Sequence, residues 1–413
     1  MNSKLIIGII GCGYIADYYV QNIKNSSILK IKSCFDVDKK RLDKFAKFHY
    51  LEKAKKIEDI LLDPSINLIL NLTPPENHFD INYKALENNK NVFCEKPLSL
   101  KFEESTILFQ LSMKKKLNLW TAPSIIFNNF SRNLRKKIIP KIDKNKIIGY
   151  GFFETPNLSK LKTEKWISPS GAKWPIINEI KNGPIIEHSG YLITLLCSFL
   201  GPVKKITSIP KKIFNKSEFK NLNINSERVG LNHTVADLYF HSGSIITLFI
   251  SENTKSRRSI ELFDKNISLC ISDIRDDYSP LLYSDSRYQS FINFRSNRIY
   301  QIARGFSDFL PTIFALPLLS NNPFIFDKRI KIKKRKVFDF LKNQKPANFH
   351  YGLEAQKLFI DLFEYEECLN LFYLHCNEIT LAINKNNLNK NINTKFDLTK
   401  LLEFLKVYDE YFK

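Results

Sequence analysis

The chain has 413 residues, enough for two domains with sizeable cores, and its 44% hydrophobic content is ordinary for a globular protein. The formal charge of +21 comes from lysines spread through nearly every helix-like segment beside abundant Ile and Asn. That pattern reads as a lysine-rich composition with solvated faces and argues against a dedicated nucleic-acid or membrane surface. From residue 1 to about 123 strands and helices alternate. Strands are expected at 4–10, 30–35, 67–72, 91–95 and 117–122, and helices at 15–24, 39–48, 56–62, 78–88 and 102–115. Alternation of this kind predicts a parallel, doubly wound sheet with helices on both faces. Asn88-Asn89 closes the fourth helix, since asparagine tolerates the left-handed cap conformation.

After Pro123 the texture changes and a second domain is expected over 124–370. A basic helix at 131–140 comes first. Gly183-Pro184 opens and Gly201-Pro202 closes an apolar helix over 185–200. Runs at 234–241 and 244–251, joined at Ser242-Gly243, alternate apolar and polar residues and predict a hairpin in an antiparallel sheet. The densest basic run, 328–336, reads as an amphipathic surface strand, with an anionic partner as the alternative. Residues 351–369 read as a helix. From 371 to 413 a C-terminal helical extension is expected: an Asn/Lys-rich, mobile stretch at 383–396, then a short helix at 397–411.

The seven cysteines (Cys12, Cys34, Cys94, Cys197, Cys270, Cys368 and Cys376) form no C-x-x-C pair and predict buried thiols in a reducing cytoplasm. No secretory leader is expected at residues 1–10, and the apolar stretch 309–319 is too short to cross a bilayer and carries Pro311 and Pro317. No metal-ligand pattern stands out.

Chemistry concentrates at the ends of the first-domain strands. Gly11-x-Gly13-x-x-Ala16 follows a strand and precedes a helix, with an acid, Asp36, ending the next strand. Gly11 permits the tight turn, Gly13 lets the backbone approach a pyrophosphate, and Ala16 lets the helix pack closely. The loop Gly11, Cys12, Gly13, Tyr14 and Ile15 is therefore the candidate dinucleotide cradle, at a helix N-terminus that favours phosphate. Asp36 would accept from the ribose hydroxyls and favour NAD, while Lys39, Lys40 and Arg41 soften the bias and admit NADP. A plain α/β turn is the structural alternative. Thr73, Pro74, Asn77 and His78 end the third strand and aim a loop across the same site, though His78 taken alone would more often be structural. Asn77 would equally cap the helix that starts at His78. Glu95-Lys96-Pro97 ends the fourth, placing an amine where it can face the cofactor.

Together Gly8-Ile9-Ile10-Gly11-Cys12-Gly13-Tyr14-Ile15-Ala16, Asn71-Leu72-Thr73-Pro74-Pro75 with His78, and Cys94-Glu95-Lys96-Pro97-Leu98 resemble the Gfo/Idh/MocA oxidoreductases over about 1–308 and again at 343–365. The resemblance implies a Rossmann domain plus an α+β domain with an open, mostly antiparallel sheet. It implies NAD(P)-dependent hydride transfer on sugar or polyol-like substrates, and homo-oligomers built through the second sheet. It gives Lys96 a role in proton transfer and has Glu95 and Pro97 fix its loop. A partly desolvated amine there is expected to have its pKa lowered toward neutrality. The family's aspartate and histidine, four apart on a helix, are replaced here by Glu187 and Tyr191. Those two share a helix face. Glu187 would hold Lys96 or a substrate hydroxyl, and Tyr191 would act as an acid beside Lys96 or merely pack in the core. His188 is one position off and is expected to point elsewhere. Lys165-Trp166-Ile167-Ser168-Pro169 resembles a substrate loop with its usual histidine replaced by Ile167. These departures leave a second class of function open, a cofactor-binding protein without redox turnover, and a third, a partner-binding protein using the 328–336 run.

Overall fold

The computed structural model describes residues 4–292, apart from breaks at 25, 144, 146, 159–165, 215–218, 220–228, 254–255, 276–280 and 286–288, together with residues 365–411. The basic run 328–336, the stretch 310–343, the start of the expected helix at 351–369 and Lys165 lie outside the described residues.

The first sheet has six strands in the order β3-β2-β1-β4-β5-β6: β1 (Leu5–Ile10), β2 (Leu29–Phe35), β3 (Glu52–Lys53), β4 (Leu68–Asn71), β5 (Asn91–Cys94) and β6 (Leu119–Thr121). All its pairings are parallel. Strands buried on both faces are continuous apolar runs, as β1 and β4 are. The connecting helices are α1 (Ala16–Ile23), α2 (Lys39–His49), α3 (Glu58–Leu61), α4 (His78–Glu87) and α5 (Phe102–Lys115). Asp38 caps α2 by accepting from Arg41 N at 3.1 Å, and Asn89 beyond α4 takes the left-handed conformation expected of it, φ 57°. Strand order reverses between β1 and β4, and a crevice opens there at the carboxyl ends of the strands.

Beyond α6 (Asn129–Lys137) lies a nine-stranded sheet, ordered β14-β13-β12-β11-β7-β10-β9-β8-β15. Its strands are β7 (Ile148–Pro156), β8 (Val203–Lys211), β9 (His233–Phe240), β10 (Ile245–Asn253), β11 (Ile260–Phe263), β12 (Ile267–Ile271), β13 (Leu281–Asp285), β14 (Gln289–Ile292) and β15 (Asn387–Asn391). The expected hairpin is β9-β10, while β7 and β10 pair in parallel, so the sheet is mixed and mostly antiparallel. One face is covered by α7 (Ile176–Leu200), a helix broken at Gly183. Gly183 has φ 74°, and a Cβ there would stand 2.3 Å from the Leu231 carbonyl oxygen. Pro184 restarts the helix, so the anticipated segment 185–200 is the second half, and Ile176–Asn182 was not legible in the sequence.

The C-terminal helices α8 (Glu366–Ile383) and α9 (Leu398–Tyr411) pack into both halves. Asn370 and Asn377 of α8 accept from Leu119 N and Leu98 N at 3.1 and 3.2 Å, and His375 Nε2 accepts from Val203 N at 2.9 Å. The Asn/Lys-rich stretch 383–396, expected to be mobile, instead carries edge strand β15 on β8, with Ile392 and Phe396 buried. Ladder hydrogen bonds are made by the main chain, and Lys and Asn suit an exposed edge.

Candidate active site

The crevice is built from the glycine loop upward. Gly11, at φ 97°, points its missing Cβ at the Leu72 carbonyl 2.7 Å away, so only glycine lets β1 turn against β4 here. At Gly13 a Cβ would meet nothing within 4 Å, and α1 begins at Ile15 without a side-chain cap. Open space above an uncapped helix N-terminus fits a pyrophosphate, and Gly13, Tyr14 and Ile15 are half-buried at its rim. Cys12 is fully buried and contributes only backbone. Its N–H donates to Asp36 Oδ2 at 2.9 Å, while Asp38 N–H donates to Asp36 Oδ1 at 2.8 Å. Asp36 therefore braces the glycine loop. Arg41 Nη1 also donates to it, at 3.4 Å to Oδ1 and 3.3 Å to Oδ2, with the Arg41 side chain 44% exposed, so each oxygen has two donors and a cation stands beside the carboxylate.

After β4 the predicted residues separate. Thr73 donates from Oγ1 to Asn71 Oδ1 at 2.7 Å and stays half-buried, while Pro74 and Asn77 are exposed on the loop. Asn77 makes no side-chain capping bond to α4. His78 does not reach the crevice. It is fully buried, with Nδ1 2.6 Å from Pro97 O and Nε2 2.8 Å from Thr73 O, and it ties the two crevice loops together. His78→Ala is expected to cost about 2–4 kcal/mol in urea unfolding, from a cavity and the one carbonyl that loses its imidazole N–H donor. Burial, opposed by those two carbonyls, lowers the His78 pKa from 6.5, so its contribution is present above about pH 6.5 and fades as the pH falls. A variant lacking that acid-side loss relative to wild type is the expected signature.

Glu95 accepts from Tyr19 OH at 2.8 Å and from Lys96 N at 3.1 Å, clamping the β5 loop to α1. Lys96 crosses to the second domain: its Nζ donates to Glu187 Oε2 at 2.5 Å, with 17% and 6% of the two side chains exposed. Asn182 Nδ2 donates to the other Glu187 oxygen at 2.7 Å. The expected lowering of the Lys96 pKa is not found. Burial acts in that direction, but Glu187, then Glu179, Tyr191 and Glu95, outweigh it and hold the ammonium above its usual value. Tyr191 is half-buried one turn along α7 from Glu187, its ring stacked on Phe153 and faced by the Arg275 guanidinium at 4.9 Å. It thus both packs and borders the Lys96 corner.

Sequence reasoning missed Asn182, Glu179 and Arg275, and misdirected His188. The imidazole does not point away: Nε2 is 3.7 Å from Glu179 Oε2, and burial, then Lys96 and arginines, drive its pKa well down. No local sequence signal marked Asn182 and Glu179, which precede the Gly183 break in the unforeseen first half of α7. Also missed was Asp17 in the first turn of α1, buried against His49 and accepting from Ser170 Oγ at 2.8 Å. Ser170 sits in the loop of Trp166 and Ile167, whose side chains are exposed. Among the described residues no group of three or more His, Cys, Asp or Glu is placed to hold a metal ion, and no helix is long and apolar enough to cross a membrane.

Residues 5–122 match the Gfo/Idh/MocA family model, described as an oxidoreductase family with an NAD-binding Rossmann fold. An uncharacterized oxidoreductase of Bacillus subtilis, YrbE, is 31% identical over 163 residues, 39% of this chain and 45% of that protein. The scyllo-inositol 2-dehydrogenase (NAD(+)) of B. subtilis is 33% identical over 107 residues, 25% of this chain and 31% of that protein. The chain thus spans less than half the length of these curated relatives. In fold it is similar to an oxidoreductase of Agrobacterium radiobacter solved with NAD+, L-tartaric acid and magnesium, with a TM-score of 0.67 at 12% identity, covering 94% of this chain and 99% of that one.

Proposed function

Since residues 5–122 belong to the Gfo/Idh/MocA oxidoreductase family with its NAD-binding Rossmann fold, we propose that this protein is an NAD(P)-dependent oxidoreductase acting on a sugar or polyol-like CH–OH group. The observation that carries the reading is the Lys96–Glu187 pair, a buried ammonium at the end of β5 beside the dinucleotide crevice.

The residues fit the cofactor: Gly11, Gly13 and the α1 N-terminus would hold the pyrophosphate, and Asp36 with Arg41 the adenosine ribose. Bound nicotinamide supplies the hydride acceptor or donor. The chain itself handles the proton. Lys96, held as an ammonium by Glu187, would give its proton to the substrate oxygen in reduction; oxidation is the reverse and starts from the neutral amine, which would take the proton from the hydroxyl. Glu187, fixed by Asn182, orients Lys96, and Tyr191 borders the oxygen's position. Glu95 and His78 hold the two crevice loops and touch neither reactant. A polyol or sugar substrate is favoured by the inositol dehydrogenase likeness of the N-terminal segment. We also propose a homo-oligomer through the open face of the second sheet, where Ile148, Tyr150 and Ile245 are exposed beside the stacked Phe152 and Phe249.

Incubation with NAD+ or NADP+ and a panel of sugars and polyols, followed by nicotinamide absorbance, tests this. A substrate-dependent rise is expected. Nucleotide binding without any such change would favour the alternative of a cofactor-binding protein without turnover, which the altered acid and histidine positions keep open.

A further inference from the structure

Asp17 is a fully buried carboxylate that the reaction drawn above does not use. It stands in the first turn of α1, the helix whose N-terminus faces the pyrophosphate's place, and its Oδ1 is bonded to His49 Nε2 at the end of α2. Its Oδ2 meets the other domain, accepting from Ser170 Oγ at 2.8 Å and from Ser170 N at 3.3 Å. Burial alone would raise its pKa, but the bonds from His49, Ser168 and Ser170 outweigh it and hold the carboxyl below its usual value. A charge out of water persists only where donors surround it, and Ser168 and Ser170 belong to the second domain.

Ser170 is at the tip of a loop that is braced within itself. Ser168 N donates to Ala172 O at 2.8 Å and Trp174 N to Trp166 O at 3.0 Å, and Gly171 makes the turn at φ 94°. The rings of Trp166 and Trp174 lie 4.9 Å apart, and Trp174 packs against the buried cluster of Leu158, Ile180 and Val229 in the second domain. The loop therefore has its base fixed to one domain and its tip bonded to the other. Lys96–Glu187 is a second polar bridge between the same two domains. One bridge rises after β1 and the other after β5, strands that β4 separates, so their ends stand about 10 Å apart. A dinucleotide cradled at Gly13 and facing Lys96 would lie between the two.

We propose that Asp17 and Ser170 are positioning residues for the nucleotide: their bond latches loop 166–174 over the crevice, and a bound dinucleotide leaves only after the latch opens. The inference rests on the crevice holding NAD(P) and not on the substrate. A hydroxyl bonded to a buried carboxylate makes the opening about 10- to 150-fold rarer than it is for the same loop without that bond. Ser170 holds to Asp17 and not to the nucleotide, so the latch slows entry and exit alike and leaves the affinity nearly unchanged. The glycine loop sets where the nucleotide binds, and the latch sets how long it stays.

The test is Ser170→Ala, with Ser170→Thr as the variant that keeps the hydroxyl. Stopped-flow fluorescence of NADH and NADPH is expected to show entry and release both accelerated about 10- to 150-fold in Ser170→Ala, with Kd within about threefold of wild type. Ser170→Thr should stay near the wild-type rates. Unchanged release in Ser170→Ala overturns the proposal, and so does an equal acceleration in Ser170→Thr. Weaker binding with no change in the rate of entry would make Ser170 a nucleotide contact and overturns it as well. Hydrogen–deuterium exchange reads the latch without kinetics. Faster exchange of 166–174 in Ser170→Ala, with the first sheet unchanged, is the expected result, and an unchanged loop counts against the latch. Wild type that binds neither nucleotide would sink the cofactor reading itself, whereas binding with unaltered rates in Ser170→Ala sinks the latch alone.

Discussion

Lys96→Met is expected to lower turnover by about 10²- to 10⁴-fold, the usual worth of a positioned acid or base, while nucleotide affinity stays close to wild type. The split follows from where Lys96 sits. It follows the last residue of β5 by two positions and spends its charge on Glu187, whereas the glycine loop and Asp36 belong to β1 and β2. Methionine fills the same space but leaves the Glu187 carboxylate buried without its cation, which costs about 3–5 kcal/mol of stability. Adding Glu187→Gln should restore much of that stability and none of the turnover. Steady-state kinetics, nucleotide titration and urea unfolding on the single and double variants separate the two effects. Unchanged turnover in Lys96→Met would refute the proton-transfer role. The raised Lys96 pKa also fixes a sign: its stabilising contribution is complete below about pH 10.5 and is lost as the pH climbs beyond.

Gly11→Ala and Gly13→Val should part company just as clearly. At Gly11 an added Cβ meets the Leu72 carbonyl in a left-handed backbone, so the fold should lose about 2–4 kcal/mol in urea unfolding, and nucleotide binding with it. At Gly13 the backbone is not left-handed and the Cβ meets nothing, so stability should stay within about 0.5 kcal/mol. Nucleotide affinity should nevertheless fall by about 1–3 kcal/mol, roughly 5- to 150-fold in Kd, because the added side chain occupies the pyrophosphate's place. Equal losses of stability in both variants would contradict this division of labour.

The first sheet was legible almost strand for strand, because buried parallel strands are unbroken apolar runs, and two of its helix ends carry local marks, Asp38 at the start of α2 and Asn89 after α4. Lys96 and the glycine loop were legible for the same reason: they sit at strand ends, where local sequence dictates position. Less local features were not. The Asn182–Glu187 bond depends on a further helical segment, Ile176–Asn182, packed just before the Gly183 break, whereas Gly183-Pro184 ordinarily reads as the start of a helix. His78 looked like a crevice residue because it opens a helix beside the site. Its fate was decided by Pro97 O, nineteen positions away in the chain. The Lys96 pKa went the other way because burial and a close carboxylate oppose each other, and only geometry says which wins. At 383–396 composition misled, since an edge strand asks little of its side chains.

The helix α8 bears on the order in which this protein can be assembled during synthesis. Trp120, in the last strand of the first sheet, is completely buried, and its neighbours include Tyr373 of α8 and Phe404 of α9. Among the described residues, the Leu119 and Leu98 N–H groups likewise donate to Asn370 and Asn377. A chain ending at residue 123 would keep the glycine loop but show the Trp120 indole and the Leu98 and Leu119 amides to water. The segment 5–122 that matches the NAD-binding family is sealed by helices beyond residue 365, so it should not survive as an excised fragment.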